Sequence, residues 1–176
     1  MDAPLPDEAP LPPVLLVDGD LGALAQLGTL IQSGGFAVLG ADGAEMALGL
    51  ARVSRPALVI SEARLPDHDV LWLLEQLRRR VPGTDVLVLA QQLTPSERAE
   101  LERCGASHCL LKPPEARVLL ARVEGALVRR QLDRAWPRQA DSANARLAAL
   151  RALLSGRNRQ IQKPAPLVRR KPFLPN

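Results

Sequence analysis

The stretch LVISEARLPD, residues 58–67, decides the fold, because an apolar run of strand length passes directly into a carboxylate. Four mostly apolar residues lead into Glu62, and Pro66 follows in a turn. Near-continuous apolar strands are typical of parallel sheets that are covered on both faces. In open sheets of this type, ligands bind at the carboxyl ends of the strands. We therefore expect the functional residues to stand just past each strand.

Outward from this stretch, short apolar runs alternate with longer segments of helical period. This alternation predicts an α/β protein with a doubly wound, five-stranded parallel sheet and helices on both faces. The predicted strands are 14–17, 36–40, 57–61, 85–90 and 107–111. The predicted helices are 21–33, 43–53, 68–80, 95–104 and 114–135.

The charge along the chain divides into two parts. Residues 1–128 hold 11 basic and 17 acidic side chains, whereas residues 129–176 hold 12 basic and 2 acidic side chains. Prolines concentrate at both ends, where they prevent regular pairing of the backbone. We predict a disordered tail at 1–12, a folded domain at 13–128 and a basic C-terminal extension at 129–176. In the extension, a helix at about 142–155 is predicted to precede a disordered tail.

Composition and motifs disfavour several classes of function. The sequence shows no signal-peptide pattern and no apolar run of about 18 residues, so we expect a cytoplasmic protein without a membrane span. Phosphate-binding and dinucleotide-binding glycine motifs are absent from the sequence. Cys104, His108 and Cys109 supply only three ligands, at spacings that match no common zinc pattern. His68 is expected to be a solvated turn residue rather than a general base, and no metal or other cofactor is predicted.

Polar side chains follow the predicted strands. They are Asp18, Gly19 and Asp20 after the first strand, Glu62 after the third, Ala90 at the end of the fourth and Lys112 after the fifth. By geometry alone, this cluster suits a divalent cation or an internal ion pair. In their order, the motifs VLLVDGD, LVISEARLPD, VLVLAQ and GASHCLLKP resemble the receiver domain of bacterial response regulators. The resemblance covers about residues 13–128 and implies the flavodoxin-like receiver fold.

The resemblance also implies that most positions of the family's phosphotransfer site are altered here. The family binds magnesium through two adjacent acids after the first strand, which correspond to Asp18 and Gly19. Its phosphate-accepting aspartate corresponds to Glu62, whose extra methylene displaces the acceptor oxygen by about 1 Å. Its hydroxyl residue after the fourth strand corresponds to Ala90, which has no side-chain donor.

The resemblance also assigns two further positions of the phosphotransfer site. Lys112 matches the family's lysine and is the natural cation for Glu62 and Asp18. Asp18 and Asp20 form the predicted acidic pocket, although the Asp20 side chain is expected to point elsewhere. Cys109 replaces the family's aromatic switch residue. Glu62 then either mimics a phosphorylated aspartate or forms an ion pair that satisfies buried charge. A third interpretation keeps phosphotransfer active through Glu62, with magnesium on Asp18.

Since the positions of the phosphotransfer site are altered, the protein is expected to act through contacts between its surface and partner molecules. Trp72 falls opposite the apolar stripe of the third helix and is a candidate anchor for a partner, unless it lies flat under Arg79. Candidate basic contacts are Arg129, Arg130, Arg169, Arg170 and Lys171.

The leading interpretation is a noncatalytic pseudo-receiver, not an enzyme, that acts as a signalling or scaffolding adaptor through protein contacts. These contacts include a homodimer as one option. The alternative is a DNA-associated transcriptional regulator whose basic segment binds phosphates.

Overall fold

A computed structural model of the chain describes residues 11–135. Most of the two tails predicted from the sequence, namely residues 1–10 and 136–176, lies outside the described residues. The predicted helix at about 142–155 and the candidate contacts Arg169, Arg170 and Lys171 belong to that part. Within residues 11–135, no helix is both long and apolar enough to cross a membrane.

Strands and helices alternate along the described chain. The strands are β1 Val14–Val17, β2 Val38–Ala41, β3 Leu58–Glu62, β4 Asp85–Ala90 and β5 His108–Leu111. The helices are α1 Leu21–Ser33, α2 Ala44–Ser54, α3 Val70–Arg80, α4 Pro95–Cys104 and α5 Ala116–Ala135. The strands form one parallel sheet in the order β2-β1-β3-β4-β5. The predicted flavodoxin-like fold is confirmed.

The two faces of the sheet are buried under different helices. Leu15, Val17 and Val59 face the core beneath α2, α3 and α4. Leu16 and Ile60 face the core beneath α1 and α5. Because successive strand residues point to opposite faces, strands buried on both sides must be apolar at nearly every position. The winding reverses between β1 and β3, so the carboxyl ends of these two strands form the edge where a site is expected.

Local capping explains where several helices begin. The Asp20 side chain accepts hydrogen bonds from the backbone N–H groups of Gly22 and Ala23, so α1 starts at the predicted residue. Helix α3 starts at residue 70 rather than at the predicted 68, because the Asp69 carboxylate caps it by accepting the Trp72 N–H at 2.8 Å.

Several predicted boundaries differ from the observed ones by one or two residues. Strand β2 begins at Val38 rather than at 36, since its pairing with β1 starts there. Glu62 is the last residue of β3, paired with Leu89, rather than the first residue beyond it. Helix α5 begins at Ala116 rather than at 114 and continues to Ala135, the predicted end of the fifth helix.

The loop after β3 is bound to α2 by Asp67. Its carboxylate accepts the N–H groups of Ala44 at 2.8 Å and Glu45 at 2.9 Å, in the first turn of a helix whose own N-cap, Gly43, has no side chain. A β-carbon at Gly43 would come within 2.9 Å of this carboxylate. Burial opposes the charge on Asp67, but the backbone donors outweigh burial and lower the pKa of Asp67 to about 2.

Replacing Asp67 with alanine is expected to destabilise the domain by about 0.5–2 kcal/mol, the usual cost of losing a helix cap. Because the folded-state pKa is lowered, the contribution is fully present above the usual pKa of 3.8 and disappears as the pH falls toward about 2. Urea unfolding at several pH values measures this difference. Asp42→Ala removes an exposed acid of the same charge and serves as the control; equal losses in both variants would contradict the capping role.

Candidate functional site

A charged triad occupies the edge of the sheet at the point where the winding reverses. The Lys112 ammonium donates to Asp18 Oδ2 at 2.7 Å and lies 3.0 Å from Glu62 Oε1. The Asp18 side chain is 2% exposed, and those of Glu62 and Lys112 are each 18% exposed. The chain brings these residues together from β1, β3 and β5, because parallel strands end at the same edge. The predicted partnership of Lys112 with both acids is therefore present in the structure.

The two carboxyl groups of the triad titrate differently. Burial opposes ionisation of Asp18, but hydrogen bonds from the Lys112 ammonium and the Asp20 N–H outweigh it and lower the pKa of Asp18. Burial also dominates at Glu62, and together with the neighbouring Asp18 it raises the pKa of Glu62 despite the Lys112 ammonium. At Lys112, burial is outweighed by the two acids, which raise the pKa of the ammonium. Asp18 is thus the main counter-ion of Lys112, and Glu62 is the weaker second one.

Asp20 does not join the pocket through its carboxylate. That carboxylate caps α1, while the Asp20 backbone N–H donates to Asp18 Oδ1 at 2.9 Å. Of the two acids of the predicted pocket, Asp18 therefore contacts Lys112, whereas Asp20 contributes only its backbone hydrogen bond to Asp18. The sequence pattern indicated that the Asp20 side chain points away from Asp18, since successive residues at a strand end point in different directions, but not that it caps α1.

The residues present do not fit the magnesium ion that the receiver family binds. Magnesium requires several oxygen ligands in octahedral geometry. Each oxygen of Asp18 already accepts a hydrogen bond, Oδ1 from Asp20 and Oδ2 from Lys112. Gly19 offers no side chain, and a β-carbon there would lie 3.2 Å from Pro66 Cδ.

The positions that correspond to the family's hydroxyl and aromatic residues carry small buried side chains. Ala90 is 4% exposed, and its carbonyl accepts the Lys112 N–H at 2.8 Å. Cys109 is 3% exposed and belongs to the core beneath α2, α3 and α4, where burial raises the pKa of its thiol. The Arg98 guanidinium on α4 donates to the Cys109 carbonyl at 2.9 Å. This contact links α4 to β5, and no pattern in the sequence indicates it.

Trp72 is half-buried and stacks on His68. The two ring centroids lie 4.0 Å apart at an interplanar angle of 13°. Arg79 pairs with Glu75 at 2.6 Å, and the alternative in which Trp72 lies under Arg79 stays a prediction. His68 lies in the turn before α3 with its side chain 35% exposed, and in addition its ring contacts Trp72 and its Nε2 lies 3.3 Å from Glu45 Oε1. The spacing of four residues between His68 and Trp72 was the signal that could have indicated the stack.

Two of the candidate basic contacts are engaged within the domain. Arg129 pairs with Asp85 at 2.9 Å, and Arg130 Nη1 donates to the Gly83 carbonyl at 3.0 Å. Gly83 has a φ of +83°, and a β-carbon there would lie 2.6 Å from Arg130 Nη1. Both arginines therefore fasten α5 to the α3–β4 turn and the start of β4. The candidate role of Arg129 and Arg130 in contacts with a partner stays a prediction.

The strand order and the triad at the reversal point define the class of receiver-like α/β domains. Residues 14–124 match the family described as the response regulator receiver domain, and the chain belongs to this family. It therefore contains a receiver domain of the two-component response regulator type.

Curated relatives are similar to the chain over part of their length. The response regulator protein FleR of Pseudomonas aeruginosa is 36% identical over 107 residues, which span 61% of this chain and 23% of FleR. The transcriptional regulatory protein PrrA of Mycobacterium tuberculosis is 35% identical over 120 residues, which span 68% of this chain and 51% of PrrA. The similarity thus covers about a quarter to a half of these relatives.

Solved structures support the fold. The receiver domain of the Francisella response regulator 1452 matches 68% of this chain and 98% of its own length, with a TM-score of 0.64 and 24% identity. The signal receiver domain of a putative Luxo repressor protein from Vibrio parahaemolyticus matches 70% of this chain and 95% of its own, with a TM-score of 0.66 and 22% identity. At these identities, the likeness shows the fold alone.

Proposed function

We propose that this receiver domain is a noncatalytic pseudo-receiver that works as a signalling or scaffolding adaptor through protein contacts, independently of phosphorylation. The observation that carries the proposal is the Lys112 ammonium, which lies within 3.0 Å of both Asp18 and Glu62. The only cation of the triad is thereby bound to two carboxylates from the chain itself. A cytoplasmic location fits this role.

The charge of the pocket disfavours an incoming phosphodonor. When ionised, the triad holds two carboxylates against one ammonium, and Gly19 supplies no second acid to bind a neutralising metal. A phosphoryl donor is itself an anion, so it would approach a site with excess negative charge in a partly buried, low-dielectric setting. In addition, Ala90 provides no hydroxyl group to hold the transferred phosphoryl group.

The contacts of Glu62 favour the ion-pair interpretation over phosphate mimicry. A phosphoryl group carries a charge of about −1.5 to −2 and three acceptor oxygens, whereas Glu62 carries one carboxylate. Its Oε1 is 3.0 Å from the Lys112 ammonium, so this carboxylate already has a cationic partner within the domain. Glu62 accordingly acts as a structural partner of Lys112 rather than as a permanent activation signal.

Incubation of the full chain with magnesium and acetyl phosphate is expected to leave its mass unchanged. The physical reason is that the acceptor is displaced by a methylene, the metal site lacks its second acid and the hydroxyl is absent. Intact-protein mass spectrometry gives the measurement. A gain of about 80 Da, the mass of one phosphoryl group, on a peptide containing Glu62 would contradict the proposal.

A second candidate function is a DNA-associated transcriptional regulator. It is favoured by the names of relatives such as the transcriptional regulatory proteins PrrA and GlrR, and by the 12 basic side chains in residues 129–176. Titration of duplex DNA at increasing salt tests it, because contacts with phosphates weaken steeply as salt is added. Absence of DNA binding at low salt would remove this candidate.

A further inference from the structure

A groove of about 620 Å³ lies between α3 and α4, and no residue of the Asp18–Glu62–Lys112 triad lines it. Its walls come from the turn before α3, from α3 as far as its last turn and from the last turn of α4. The polar and aromatic residues of the lining include His68, Asp69, Trp72, Glu75, Arg78 and Arg103. A groove of this size holds several side chains of a peptide, within the range of ordinary ligand clefts.

The apolar part of the groove is a fixed aromatic platform. The Trp72 indole stacks on His68, and Trp72 also packs against the buried core beneath α2, α3 and α4. His68 is in turn held by Glu45, 3.3 Å from its Nε2. A rigid, half-buried tryptophan loses little conformational entropy on binding, and such residues often carry much of the energy of an interface.

The acids of the groove already have partners. The Asp69 carboxylate caps α3 by accepting the Trp72 N–H, where the helix dipole also stabilises its charge. Glu75 pairs with Arg79 at 2.6 Å. Neither carboxylate forms an ion pair with Arg78 or Arg103 in the described part of the chain.

The arginines of the groove differ from its acids in their contacts. Arg78 and Arg103 are exposed, and neither makes a hydrogen bond or an ion pair with any residue of the described part of the chain. Each guanidinium carries five donors in a planar fork that suits a carboxylate. The groove thus combines an aromatic platform with two arginines that have no partner among residues 11–135. These features are complementary to an anionic ligand that also has an apolar group.

We propose that this groove binds an acidic peptide segment of a partner protein, with an apolar side chain on Trp72 and carboxylates at Arg78 and Arg103. The proposal rests on the adaptor function above and names the surface and the kind of partner that it uses. Recognition of acidic motifs by arginine clusters is an established mode of peptide binding.

A short acidic peptide fits this groove better than nucleic acid does. Residues 1–128 hold 17 acidic and 11 basic side chains, so the body of the chain as a whole repels a long polyanion. A peptide with one or two carboxylates responds mainly to charges within a Debye length of about 8 Å at physiological salt. The guanidinium groups of Arg78 and Arg103, which line the groove, are the cations that such a peptide meets there.

Trp72 provides the readout for the test. The chain has two tryptophans, so Trp136→Phe leaves Trp72 as the single tryptophan reporter in the full chain. The probes are synthetic peptides of about a dozen residues in which Asp or Glu alternates with Leu or Phe, and matched peptides with Lys at the acidic positions. We expect the acidic peptides to change the Trp72 emission in a saturable way at about 0.15 M salt, and the lysine peptides to have no effect.

Two double variants locate the binding. Arg78→Glu with Arg103→Glu is expected to weaken binding of the acidic peptides by about tenfold or more, since attraction becomes repulsion at both positions. Arg52→Glu with Arg117→Glu makes the same change in net charge at exposed positions outside the groove and is expected to weaken binding by about twofold or less. Circular dichroism confirms that both variants are folded.

Three outcomes would overturn the proposal. They are no response to any acidic peptide, an equal loss of binding in both double variants, and binding of DNA at the groove in place of the peptides. The phosphodonor experiment is independent of this test, because it reads the mass at Glu62 rather than the emission of Trp72. A failure of the pseudo-receiver function and a failure of the groove proposal are therefore distinguishable.

Discussion

Replacing Lys112 with methionine is expected to destabilise the domain by about 3–5 kcal/mol at neutral pH, the usual cost of removing one partner of a buried ion pair. The ammonium lies within 3.0 Å of both Asp18 and Glu62, and the Asp18 side chain is 2% exposed. Without Lys112, two carboxylates face each other with little access to water. Because small domains have a total stability of about 5–15 kcal/mol, this loss is a large fraction of it.

The pH dependence of this loss has a defined sign. In the wild type, the raised pKa of Lys112 contributes stability that is fully present below its usual value of 10.5 and is lost as the pH rises through the folded-state pKa. The lowered pKa of Asp18 contributes stability that is present above its usual value of 3.8 and is lost as the pH falls through the folded-state pKa. In Lys112→Met, burial and mutual repulsion raise the pKa of both carboxyls, so this variant gains stability on acidification.

Urea unfolding followed by circular dichroism measures both effects. The control is the triple variant Asp18→Asn, Glu62→Gln, Lys112→Met, which removes all three charges and is expected to recover most of the loss. If Lys112→Met is too unstable to fold at neutral pH, mildly acidic buffer is expected to restore it. An unfolding midpoint of Lys112→Met equal to that of the wild type at neutral pH would show that the triad contributes nothing.

Restoring three side chains is expected to convert the domain from one that accepts no phosphate to one that accepts one phosphoryl group. The variant is Gly19→Asp, Glu62→Asp, Ala90→Ser. The shorter acid withdraws the acceptor oxygen by about 1 Å, and positioning errors of this size change rates by about a hundredfold. The added acid at residue 19 lies at an exposed position, where Pro66 must yield only slightly to a β-carbon 3.2 Å from its Cδ. Serine at residue 90 adds a single buried oxygen.

The expected result is a gain of about 80 Da in the presence of magnesium and acetyl phosphate, and none without magnesium. The double variant Gly19→Asp, Ala90→Ser keeps Glu62 and is the matched control, which is expected to stay unmodified. A triple variant that also remains unmodified would mean that the loss of phosphotransfer lies elsewhere in the domain. A modified control would mean that Glu62 is a competent acceptor.

Much of the fold could be predicted from the sequence because its signals are local. Strand β4 Asp85–Ala90 and helices α1 Leu21–Ser33 and α4 Pro95–Cys104 lie where the sequence predicts them. Helix α4 begins with a capping box of Thr94 and Glu97 and ends at Gly105, whose φ of +117° favours glycine. Errors occurred where a side chain outside the apolar pattern fixed a boundary, as Asp69 does for α3.

The candidate site could be predicted in part. Asp18, Glu62 and Lys112 were predicted to converge because the ends of parallel strands meet at one edge, and the structure brings them together. The roles of Asp20 and Arg130 could not be read in this way. The Asp20 carboxylate accepts hydrogen bonds at the start of α1, and the Arg130 guanidinium donates to the Gly83 carbonyl. Both contacts depend on the direction of the side chain in the folded structure.

The sequence by itself therefore determined the order of the elements, the covered parallel sheet and the identity of the residues at its carboxyl edge, since these follow from periodicity and capping within a few residues. Only the tertiary structure decided the contacts between distant residues. Lys112 and Asp18 are 94 residues apart, and Asp67 and Ala44 are 23 apart. Such contacts depend on how helices and loops pack on the sheet, and neither periodicity nor capping specifies that packing.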